Sequence, residues 1–162
     1  MSSIYGINGY GRLAVGYPVN INDVDVKAFT VDASALEDGI APGTLLLFTD
    51  KFGTVVSPDP AGSAFTAQKV AGIALATNVK LDTVFPMGAS VNWKRGEALG
   101  CAVRGEVAVK VTASITVKPG DAVYYDQANG VFTNSSTSTI ALPQMRFTGN
   151  QEGAMAVVDI RY

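Results

Sequence analysis

The strongest constraint on how this chain folds is the stretch 103–133, VRGEVAVKVTASITVKPGDAVYYDQANGVFT. From Val103 to Val111 the odd positions carry valine or glycine, and the even ones carry Arg104, Glu106, Ala108, Lys110 and Thr112. Alternation with period two puts the valines on one face of a strand and the charges on the other, as in an antiparallel sheet with one solvated side. Pro119 and Gly120 then turn the chain, because proline presets φ and glycine tolerates positive φ. A short strand, AVYY, follows, and Asn129-Gly130 suits a tight hairpin that returns through Val131, Phe132 and Thr133. The unit is strand, turn, strand, hairpin, strand, with no helix.

The same unit occurs earlier. Residues 42–56, PGTLLLFTDKFGTVV, match residues 119–133, PGDAVYYDQANGVFT, with a constant offset of 77 from Pro42 to Pro119 and from Gly53 to Gly130. Pro42, Gly43, Gly53, Pro119, Gly120 and Gly130 are therefore expected to be architectural turn residues. Two copies do not make a solenoid, whereas a hairpin repeated in two halves of a barrel or sandwich accounts for them. The expected fold is all-β: a compact antiparallel β-barrel or jelly-roll-like sandwich with an extended N-terminal arm.

The remaining segments fit that frame. Residues 26–32 read as a short strand. Residues 34–37, SALE, have the form of a capping box, but Gly39 limits any helix there to a corner turn. Residues 57–63, SPDPAGS, are a loop by composition. Residues 64–76 allow helix or strand, and strand is favoured because the segment lacks a polar helical face. Residues 154–162 alternate again and close the domain on a C-terminal strand. With 162 residues, one domain suffices, and the expected division is an arm at 1–22 and a single β domain at 23–162.

The arm has a different texture. Gly6, Gly9, Gly11 and Gly16 alternate with Ile4, Tyr5, Ile7, Tyr10, Leu13 and Tyr17. That is too much glycine for an autonomous strand and too many aromatics for a solvated tail. Such a segment orders either against a partner or as an edge strand on its own domain. The Gly9-x-Gly11 spacing lacks the third glycine, the preceding strand and the following helix of a dinucleotide loop.

Composition argues against chemistry. The chain has no histidine, which removes the usual general base, the usual zinc ligand and both Ser-His and Cys-His nucleophilic schemes. Its acids are scattered singly through strands and turns, so no pair is placed across a cleft. Asn20, Asn22, Asp23 and Asp25 gather oxygens without calcium-loop spacing and read as a solvated strand entry. Cys101 sits in an apolar stretch and is expected to be a buried small hydrophobe. No cofactor is expected. The net charge of −2 with interspersed signs offers no basic stripe for nucleic acid, and no apolar run approaches membrane-spanning length. No signal segment is apparent, so folding in the cytoplasm is expected. A positive mean hydropathy with only 16% charged residues suggests that part of the surface meets another protein.

Residues 105–111 (GEVAVKV), 115–126 (ITVKPGDAVYYD) and 130–133 (GVFT), with 70–74 (VAGIA) and 156–162 (AVVDIRY), resemble tailed-bacteriophage capsid cement or decoration proteins. The likeness covers about residues 42–162. It implies a non-enzymatic virion protein, usually a homotrimer, that is made in the host cytoplasm and sits on the outer capsid surface. Such a protein stabilises the shell by clamping adjacent major capsid subunits. The major capsid protein and further copies of the chain would be its partners; the arm lies outside the likeness, and Ile4, Tyr5, Ile7, Tyr10, Leu13 and Tyr17 are capsid-binding candidates on their apolar texture alone. The alternative is a virion receptor- or carbohydrate-binding module in which Trp93, Tyr124 and Tyr125 stack on sugars; a carboxylate hydrolase is a third.

Overall fold

The computed structural model describes residues 13–19, 21–76 and 92–161. Among these the chain forms nine strands: β1 (Asp25–Val31), β2 (Leu45–Phe48), β3 (Thr54–Val56), β4 (Val70–Ala74), β5 (Ala98–Lys110), β6 (Ala122–Asp126), β7 (Val131–Thr133), β8 (Ile140–Glu152) and β9 (Met155–Ile160). Short 3-10 turns lie at Ile21–Asp23 and Ala67–Lys69. The all-β expectation holds, and the ambiguous segment resolves into a 3-10 turn followed by strand β4. The 34–37 corner is a bend without a helical turn. Asp32 organises it, its carboxylate accepting from the Ser34 N–H at 2.9 Å and the Ser34 hydroxyl at 2.8 Å. This local bonding competes with helix initiation, and it holds the Asp32 carboxyl below its ordinary range.

The strands run β1-β3-β2-β4-β5, and β5 pairs back with β1, so five strands close into a barrel. Closure leaves no unpaired strand edge in this half. The second half continues from the same β5 through β9, β8, β6 and β7. A parallel bridge between Val111 and Phe132 then brings β7 back beside the end of β5.

The repeat visible in the sequence is a repeat of pairing. In the first hairpin Leu47 faces Val56 and Phe48 faces Val55; in the second Tyr124 faces Thr133 and Tyr125 faces Phe132, every position displaced by 77. The parallel contacts match too. Asp32 N–H donates to the Val55 carbonyl at 3.0 Å, and Thr112 N–H donates to the Phe132 carbonyl at 2.9 Å. β5 thus acts as the last strand of one strand ring and the first of the next.

This double duty alters the simple alternation of 103–111. Val107, Val109 and Val111 are buried in one core cluster with Tyr125, Phe132, Met145 and Phe147. Val103 instead packs with the other cluster, around Val31, Leu46, Val55, Leu99 and Cys101. The phase flips because Asp25 faces Arg104 while Val26 faces Ala102, leaving Val103 as the extra residue of a bulge. Ala108, on the charged face, is also buried, covered by Leu13. β2 and β4 are buried on both faces, since Leu45, Leu47 and Ile73 join the first cluster while Leu46, Ala71 and Ala74 join the second. Their nearly unbroken apolar sequences follow from that. Cys101 is fully buried, and desolvation pushes its thiol up to about 12. At ordinary pH it is a protonated, unreactive packing residue.

Candidate functional site

The end of the arm is fastened to its own domain. Leu13 is buried against Ala108 and Val157, and its N–H donates to the Glu152 carboxylate at 3.0 Å. Gly16 N–H donates to the Ala108 carbonyl at 2.8 Å, Ala108 N–H to the Tyr17 carbonyl at 3.1 Å, and Val19 N–H to the Glu106 carbonyl at 2.9 Å. Residues 13–19 therefore run antiparallel to the second half of β5 and cover its edge, and β1 continues that track along the first half. The track begins at Leu13, beside the end of β8, where the Glu152 carboxylate accepts from it.

Two grooves flank the track. The first, about 600 Å³, is lined by Val24, Val26, Phe29, Phe48, Ala71 and Val103, with Asp25, Lys27 and Arg104 at its rim. Phe29 and Phe48 meet edge to face in it, their ring centroids 5.6 Å apart. Val26 is 54% exposed and Phe48 43%, unusual for large apolar side chains that lie next to one another.

The second groove, about 750 Å³, is polar and is lined by Asn22, Asp23, Asp25, Arg104, Glu106, Asp159 and Arg161. Glu106 and Asp159 face each other across β5 and β9. The Arg161 guanidinium is bonded to the Asp159 carboxylate. Partial burial, and next the Asp159 charge, raise the Glu106 carboxyl above its ordinary value. A carboxyl raised in the folded state contributes stability that is fully present below its unfolded pKa and lost as pH climbs through the folded value. Glu106→Gln removes that loss. Its thermal midpoint should exceed the parent's by about 2 °C at neutral pH, and the difference should vanish below about pH 4. Calorimetric scans at both pH values check this.

The match to known proteins bears on what these surfaces serve. Over residues 4–161 the chain matches the phage structural cement protein family (E217 gp24/Pam3 gp6). The chain belongs to this family. Its fold is shared with a chain of a solved structure described as "The capsid of Myoviridae Phage XM1", at 20% identity and a TM-score of 0.67, covering 92% of this chain and 90% of that one. Among curated proteins no relative matches. The match extends the resemblance of residues 42–162 across the arm, and it gives this cement protein a structural role in the phage capsid.

Of the arm candidates, Ile4, Tyr5, Ile7 and Tyr10 lie outside the described residues. Leu13 is buried on its own domain and Tyr17 is half-buried in the same track, so both serve in the arm's anchorage. Gly43 and Gly120 have φ of +77° and +87°, and Gly53 and Gly130 have φ of +76° and +66°. Trp93 and Tyr125 are 3% and 2% exposed, so the core takes up two of the three rings that a sugar-stacking site would need. The cement protein's apolar groove has no counterpart in the apolar pattern of the sequence, because Phe48 ends an unbroken apolar run, LLLF, in which nothing marks one residue as exposed.

Proposed function

We propose that the protein docks on the outside of the capsid shell as a homo-oligomer and clamps adjacent major capsid subunits, with arm residues Ile4, Tyr5, Ile7 and Tyr10 making the reaching contact. The observation that carries this reading is the family match, which begins at residue 4 and so includes the arm. The anchored arm root supports it. Because residues 13–19 are bonded along β5, the residues before Leu13 start from a fixed point at the β8–β9 turn, and a fixed origin lowers the entropy lost when an arm finds its partner. Twelve residues extend at most about 40 Å, which bounds the reach of the arm. Clamping works by avidity, since each copy after the first engages at high effective concentration.

The valines that alternate along β5 do not supply the surface between copies, because Val107, Val109 and Val111 fill the core of a single chain. Sedimentation of purified protein with its phage's capsids tests the proposal. The expected result is saturable co-sedimentation with a raised capsid melting temperature; protein left in the supernatant at capsid excess would sink it.

A further inference from the structure

The chain carries a knob as well as a groove. Phe52 stands fully exposed at the tip of the β2–β3 hairpin, and the tip is pinned. Lys51 pairs with Asp32 at 3.7 Å, Lys51 N–H donates to the Thr49 hydroxyl at 3.2 Å, Thr54 N–H donates to the Lys51 carbonyl at 3.3 Å, and Thr30 N–H donates to the Gly53 carbonyl at 3.0 Å. Held this way, Phe52 is not folded onto the groove of its own chain. In the groove, β1 is uncovered on both sides: Asp25, Val26, Lys27 and Ala28 are consecutive and all exposed, whereas a barrel strand ordinarily exposes alternate residues.

Charges match across the two features. Beside Phe52, Asp50 and Lys51 are both exposed, and the Lys51 ammonium offsets the Asp32 carboxylate 3.7 Å away, so the knob presents an aromatic ring beside a net negative charge. The groove presents an apolar floor of Val26, Phe29, Phe48 and Val103 with Asp25, Lys27 and Arg104 at its rim, two cations against one carboxylate. We infer that the groove receives the Asp50–Phe52 tip of a second copy of this chain, the ring seated on Val26 and Phe48 and the carboxylate facing Lys27. Knob and groove are different surfaces, so the contact is head-to-tail, and copies joined this way close into a ring if their rotation permits. The inference deepens the clamp reading, on which it rests for the idea that copies act together, by naming the surface that joins them.

Analytical ultracentrifugation of the full chain and its variants tests it, with capsid sedimentation run in parallel. The parent should sediment as an oligomer. Phe52→Asp and Val26→Asp should each weaken self-association about tenfold or more, with the far-ultraviolet circular dichroism of the folded chain unchanged because both side chains are exposed. Asp50→Lys alone should also weaken it, and Lys27→Asp together with Asp50→Lys should restore it. A monomeric parent, or an oligomer indifferent to Phe52→Asp, overturns the inference. If Val26→Asp leaves the mass unchanged but abolishes capsid binding, the groove takes a shell subunit and the inference is again overturned. An oligomer that responds as expected but never binds capsids upholds the joint and refutes the clamp.

Discussion

Gly105→Ala is expected to destabilise the protein by about 3 kcal/mol or more, lowering its thermal midpoint by on the order of 10 °C. Gly105 is buried at the point where β5 passes from one ring of strands to the other, with φ of +109°. A Cβ there would stand 2.5 Å from the Asp23 carbonyl oxygen, 2.8 Å from Val24 Cγ2 and 2.9 Å from Val24 Cα. These neighbours include backbone, held by the Val19 bond to Glu106 on one side and the Asp25–Arg104 pairing on the other, so relief would mean moving the whole track off β5. Gly53→Ala is the matched control. Its φ is +76°, yet nothing lies within 4 Å of the added Cβ, so it carries only the left-handed backbone cost of about 1–2 kcal/mol. Denaturant melts of the two variants side by side separate the clash from the dihedral; equal losses would mean that the bulge relaxes freely.

The features legible in the sequence were those fixed by local chemistry. The Pro-Gly turns and the hairpin glycines were visible because each needs a particular residue type, and their common spacing showed the duplication before any pairing was known. Strand β8 was not legible. Pro143 and Gly149 interrupt it, and such residues argue against a strand unless the ladder is irregular at that point. The ladder is irregular: β6 shifts register against β8 between Ala122 and Tyr124, and β8 shifts against β9 between Phe147 and Gln151. The flip at Val103 was equally hidden, since a bulge is set by which strands lie on either side and the residues alone do not encode it.

The groove left a trace that only the repeat can reveal. Superposing the two hairpin units by their offset of 77 sets Phe48 against Tyr125, which is buried, and Phe52 against Asn129, an ordinary turn residue. Asn129 bonds back to Asp126 within its own loop, its side-chain amide donating at 2.7 Å, which completes that turn internally. Phe52 has no polar group with which to do the same. The two units share only their proline and two glycines, and among the positions at which they differ, 48 and 52 are those where the first unit places an aromatic ring on the surface.

Deleting residues 2–12 should weaken capsid binding by roughly 100-fold or more while leaving the fold intact. The cut falls just before Leu13, so the arm-root bonds survive: Leu13 to Glu152 at the end of β8, and Gly16 to Ala108 and Val19 to Glu106 along β5. Core cluster residues, including Ala108 and Val157 beneath Leu13, keep their cover. A longer deletion through residue 20 would expose that cluster and the β5 edge together, so lost binding could then reflect damage to the domain. With the shorter cut, thermal midpoint and oligomeric mass should match the parent's, and only co-sedimentation with capsids should fall. Restoring the arm with Ile4, Tyr5, Ile7 and Tyr10 all changed to serine keeps its length and removes its apolar contacts. If those side chains carry the affinity, this variant should behave like the deletion. If it binds like the parent, the arm acts through its backbone, as a strand added to a neighbour's sheet. Undiminished binding by the deletion itself would locate the shell contact on the barrel.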